Sequence, residues 1–104
     1  MATYLLAYHG GGMPDSPEAQ TTLMAAWGQW SERLGAALID GGNPVAQART
    51  IATDGSVGGA GGSSISGYSI IAADSLDAAV ALAKDCPVLQ SGATIEVCET
   101  FDAM

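Results

Sequence analysis

Two short runs constrain this chain most: residues 3–9, TYLLAYH, and residues 68–73, YSIIAA. Successive side chains of a strand point to opposite faces. In the first run Thr3, Leu5, Ala7 and His9 share one face, and Tyr4, Leu6 and Tyr8 share the other. Both faces are largely apolar, so a strand built from it needs cover on two sides. Each run also leads into a helix start. After the first come Gly10-Gly11-Gly12 and then Asp15 and Ser16, both N-cap residues, with Pro17 suited to the first helical position. Glu18 stands three after Asp15, as in a capping box. After the second run, Asp74 or Ser75 caps a helix with Leu76, Ala79, Val80 and Ala83 on one face, Lys84 in its last turn, and Pro87 to stop it.

The first helix is predicted near residues 17–37, because Leu23, Trp27, Trp30, Leu34 and Ala37 recur at spacings that line one helical face. Residues 37–42 read as a strand ending in the turn cluster Asp40-Gly41-Gly42-Asn43-Pro44, and residues 45–53 return as a strand toward a sheet edge. Residues 54–67, mostly Gly and Ser, form a flexible hairpin connection. Thr94 to Glu99 closes the chain as a strand. The order strand, helix, strand, strand, helix, strand predicts an α+β fold of the ferredoxin-like βαββαβ type: a four-stranded antiparallel sheet with two helices on one face.

The bare face then needs an explanation. The chain fits one domain over residues 1–104, is 48% apolar and only 13% charged, and a domain this small has little interior. A second copy is the economical cover, so a homodimer is expected. Three basic residues (Arg33, Arg49, Lys84) against eleven acidic ones leave a net charge of −8, with no basic cluster for nucleic acid or an anionic membrane surface. The N-terminal apolar stretch lacks a basic flank and is too short for a membrane span. Cys86 and Cys98 form no C-x-x-C pair, which suits reduced thiols in a cytoplasm. One His, two separated cysteines and scattered carboxylates offer no metal spacing, and the glycines at 55–62 lack the wording of nucleotide loops. No cofactor is expected, and Ser63, Ser64 and Ser66 carry no nucleophile motif. The glycine segment reads as a mobile loop, or as a lid over a pocket.

The stretch GYSIIAADSLDAAVALAKDCP at residues 67–87, followed by GATIEV at 92–97, resembles the YCII-related family, and within it the DGPF-domain branch. The YLL strand at 4–6, MAAWGQW at 24–30 and LIDGGNP at 38–44 agree with it. The branch's Asp-Gly-Pro-Phe reads Asp54-Gly55-Ser56-Val57 in this chain, and the first-helix histidine of members proposed as enzymes is missing, with Ala25 and Ala26 in that region. The resemblance implies a dimeric α+β barrel with a pocket between sheet and helices. It also implies relatives that are dehydrochlorinase- or lactone-isomerase-like, and neighbours that include alternative sigma factors.

His9 is the only imidazole, so a histidine acid–base step must use it. One reading has His9 and Asp40, each ending a strand, converging on a pocket in which the carboxylate fixes the ring's tautomer. The other has His9 as a strand-end residue bonded to backbone. Trp27, with Tyr8 and Tyr68, is a candidate lining for a ring-shaped ligand, whereas Trp30 reads as core. Three functions follow. The first is a small-molecule-binding or regulatory dimer. The alternative is a lyase- or isomerase-type enzyme for a small, aromatic-derived metabolite with His9 as acid and base. The third is an interaction module whose pairing is its role.

Overall fold

In the computed structural model, residues 1–12, 14–59 and 65–103 are described. The first apolar run becomes β1 (Ala2–Gly10), followed by α1 (Pro17–Leu34), β2 (Leu38–Asp40), a ribbon of β3 (Thr50–Ile51) and β4 (Val57–Gly58), then β5 (Ile65–Ala73), α2 (Leu76–Ala83) and β6 (Ala93–Glu99). The main sheet is antiparallel in the order β2-β5-β1-β6, with β1 at its centre. Two helices and this four-stranded sheet make the ferredoxin-like α+β plan.

Both helix starts follow the capping chemistry written in the sequence. The Ser16 hydroxyl accepts from the Ala19 amide at 3.1 Å, and the Ser75 hydroxyl accepts from the Ala78 amide at 3.1 Å. Ser16 rather than Asp15 is therefore the cap of α1. That helix stops at Leu34, three residues earlier than its apolar spacing suggests, because Gly35 takes a positive φ of 55° and the chain tightens into a 3-10 turn over residues 35–37.

The core lies between the helices and one sheet face. Tyr4, Leu6 and Tyr8 of β1 and Ile71 and Ala73 of β5 are buried there with Trp30, Leu34, Ala79, Ala83 and Cys86. Trp30 is anchored by more than packing, since its indole N–H donates to the Leu82 carbonyl at 3.1 Å. The opposite face carries Leu5, Ala7 and His9 of β1, Tyr68 and Ile70 of β5, and Thr94, Glu96 and Cys98 of β6, as the cross-strand register requires.

Two strand expectations change. Residues 45–53 do not add a strand to the main sheet. Pro44 makes an isolated bridge with Gly67, the chain leaves the sheet, and only Thr50–Ile51 pairs, with Val57–Gly58. Gly42 at φ 76° and the missing N–H of Pro44 turn the backbone away there. Conversely, Ile65–Gly67 belong to β5 rather than to the glycine-rich connection. A bulge at Ser66 sets Tyr8 opposite Gly67 and His9 opposite Ile65. Residues 60–64, with Ser63, Ser64 and the end of the glycine loop at 55–62 that was the expected lid, lie outside the described residues.

Candidate functional site

The five residues singled out from sequence separate onto the two faces of the sheet. Tyr8 and Trp27 meet on the helix side, with ring centroids 6.0 Å apart and edge-on, and Trp27 meets Trp30 at 5.6 Å. The Tyr8 hydroxyl donates to Ser69 Oγ at 2.6 Å, and the Ser69 hydroxyl donates to the Gly41 carbonyl at 2.8 Å. The Cys86 thiol lies 3.5 Å from the Tyr8 oxygen. Burial pushes the Tyr8 hydroxyl far above its usual range and the Cys86 thiol up as well, so both stay protonated near neutrality. Tyr8 is thus a satisfied core group tying β1 to β5 and to the turn after β2. Trp27, half-buried, is the ring nearer the surface.

His9 and Tyr68 occupy the other face. His9 Nε2 lies 3.2 Å from Glu96 Oε1, a contact made diagonally across the β1–β6 pair, in which Glu96 stands opposite Ala7 and Thr94 opposite His9. With its proton on Nε2 the ring donates to the carboxylate, which then fixes the tautomer and the orientation of the ring. Tyr68 stands opposite Ala7 from the β5 side. The small Ala7 side chain therefore separates a phenol on one flank from a carboxylate on the other, with the imidazole two residues along.

Asp40 is not brought to His9 within the chain. It lies opposite Ile70, which is level with Leu5, four residues before His9 and two strands away. The offset is about 10 Å across the strands and about 13 Å along them, beyond the reach of the two side chains. The Asp40 carboxylate instead accepts from the Gly42 amide at 2.8 Å and shapes its own turn.

Sequence reasoning missed Glu96, because only the register of β6 on β1 places it beside His9. It also missed an open cleft of ≈ 400 Å³ at the N-terminal half of α1, lined by Gly12, Pro14, Ala19, Thr22, Leu23 and Gln90. A smaller one of ≈ 150 Å³ lies between α2 and β6, lined by Val80, Ala83, Lys84, Leu89, Ile95 and Val97. Among the described residues no three of His, Cys, Asp or Glu gather in a group that could hold a metal ion. None of the described helices is long and apolar enough to cross a membrane.

A family model for the YCII-related domain matches residues 1–101. The chain belongs to the YCII-related family. Among solved structures it is similar to 5-chloro-2-hydroxyhydroquinone dehydrochlorinase (TftG) from Burkholderia phenoliruptrix AC1100, in complex with 2,5-dihydroxybenzoquinone. That likeness has a TM-score of 0.51 at 21% identity and covers 90% of each chain, which shows a shared fold. No curated protein matches the chain. Where the name motif of the DGPF branch would fall in this YCII-related chain, Asp54-Gly55 makes the turn of the ribbon. Gly55 has φ 90°, and the Ser56 amide and hydroxyl donate to the Asp54 carboxylate at 2.9 and 2.7 Å, holding that carboxyl below its usual range.

Proposed function

We propose that this YCII-related protein works as a homodimer that binds a compact, hydroxylated ring compound on the open face of its sheet, and that His9 moves a proton on it. The observation carrying this reading is the 3.2 Å contact of His9 Nε2 with Glu96. It is the arrangement a positioned imidazole base needs, and Tyr68 across Ala7 supplies a ring and a hydroxyl alongside. The reaction class is lyase or isomerase: the imidazole takes a proton from an activated carbon or hydroxyl and either returns it to another atom of the same molecule or, in an elimination, the freed electron pair expels a leaving group as an anion and the ring gives its proton to solvent, with Glu96 stabilising the charged ring between the two steps. The ligand in the structure of the dehydrochlorinase, 2,5-dihydroxybenzoquinone, fits that substrate class. The helix side offers less, since Tyr8 is sealed and bonded there and its neighbour Trp27 packs edge-on against it.

A second reading, binding without turnover, draws on the exposure of the pair. The side chains are 27% (His9) and 65% (Glu96) accessible in one chain, so the site excludes water only if a second copy covers it. The test is a panel of di- and trihydroxybenzenes and quinones followed by absorbance and by thermal shift. Turnover abolished in His9→Ala with unchanged circular dichroism supports the enzyme. Thermal shifts that survive in His9→Ala with no turnover in the wild type support the binder. Neither response from any member of the panel contradicts both.

A further inference from the structure

We infer that the β3–β4 ribbon is an exchange arm, which in the homodimer docks on the open sheet face of the partner copy and brings Arg49 to Glu96 of the partner subunit. This rests on the homodimer reading above and names the segment that completes it. Every residue from 43 to 59 is exposed, so the ribbon is not packed into the core of its own chain. Two strands of two residues each do not hold a hairpin by themselves in water. The ribbon nevertheless carries an apolar cross-strand pair: Ile51 stands opposite Val57, and the two are 70% and 60% exposed. The overall dimensions agree. The radius of gyration is 15.1 Å, and a compact domain of this length has about 13 Å. Its extents, 44 × 38 × 18 Å, are those of a plate rather than a sphere.

Charge selects the docking surface. The chain has three cations in all. Arg33 pairs with Asp85 at 3.3 Å among the helices, and Lys84 lines the cleft between α2 and β6. On the open face Glu96 contacts His9 and keeps 65% of its side chain accessible, neither Arg33 nor Lys84 is placed there, and the remaining basic side chain, Arg49, stands at the foot of the arm. Beside Glu96 the same face offers Leu5, Ile65 and Ile70, exposed or half-buried, to receive Ile51 and Val57. In a two-fold dimer the exchange is reciprocal, and each site receives one residue from the other chain.

The test is sedimentation equilibrium or light scattering over a concentration series, with circular dichroism on each variant. Ile51→Asp combined with Val57→Asp alters two exposed side chains that are not part of the core, so the fold should stay and the dimer should dissociate to monomers. Arg49→Glu should weaken the dimer about tenfold, and adding Glu96→Arg should restore it. A wild-type dimer indifferent to the Ile51 and Val57 changes would overturn the arm while leaving the homodimer standing. A wild-type monomer at all concentrations would overturn both.

Discussion

The Tyr8 hydroxyl donates to Ser69 Oγ over 2.6 Å inside the core, one residue before His9 turns its ring to the opposite face of the sheet. The alternation of one strand thus puts a structural phenol and a candidate base back to back. The Ser69 hydroxyl in turn donates a hydrogen bond to the Gly41 carbonyl, so the two side chains act as one unit. Ser69→Ala strands a buried phenol donor and should cost about 2 kcal/mol, more than the ~1 kcal/mol expected for Tyr8→Phe. Urea denaturation of the two single variants and the double variant checks this. The expected double-mutant cycle is non-additive, and strict additivity would contradict the shared network.

Alkaline pH should act on the same group. Burial raises the Tyr8 hydroxyl above its ordinary 10.0 and the Cys86 thiol above its ordinary 9.0. The folded state then holds both protons more tightly than the unfolded chain does. Their contribution is fully present below about pH 8.5 and is lost as pH climbs through the unfolded values toward the folded ones. Urea midpoints should fall across that range. The fall should be shallower in Tyr8→Phe, which has no proton to lose at that position, and an unchanged slope would contradict a buried, neutral Tyr8.

The turn that receives the Ser69 bond should tolerate no side chain. Gly42 has φ 76°, and a Cβ there would run into the Tyr68 carbonyl. Gly42→Ala should therefore cost more than about 2 kcal/mol, through backbone strain and displacement of β5 together. Gly28→Ala in α1 is the control: a Cβ there meets open space, and helix propensity predicts a gain of up to ~1 kcal/mol. Thermal melts of the two variants should move in opposite directions.

The parts of the fold legible in the sequence were those set by local chemistry. Apolar faces marked β1, helical spacing after cap residues marked α1 and α2, and of the two cap candidates at each start the serine is the one that bonds. What was hidden depended on long-range pairing. Ile65–Gly67 sit in a run of Gly and Ser with no strand signature, and only the ladder to β1 makes them extended. Residues 45–53 have strand-like composition, yet the turn at Gly42 and Pro44 sends most of them away from the sheet. The site divides in the same way. His9 stood out as the sole imidazole, but its carboxylate is 87 positions away and was chosen by the β1–β6 register, whereas Asp40 was attractive only for ending a strand. Tyr8 and Trp27 have the aromatic character of a ligand wall, and the same character makes Tyr8 core with Trp27 half-buried against it.

The central claim is that the working face is the one bearing His9, Glu96 and Tyr68. Chemical-shift mapping on isotope-labelled protein, titrated with a trihydroxybenzene, tests it most directly. The account predicts that the amides of Ala7, His9, Tyr68 and Glu96 move together and saturate, and that the response is lost in His9→Ala. Shifts gathered instead at Gly12, Thr22, Leu23 and Gln90, with His9 and Glu96 unmoved, would place the ligand in the cleft beside α1 and contradict it.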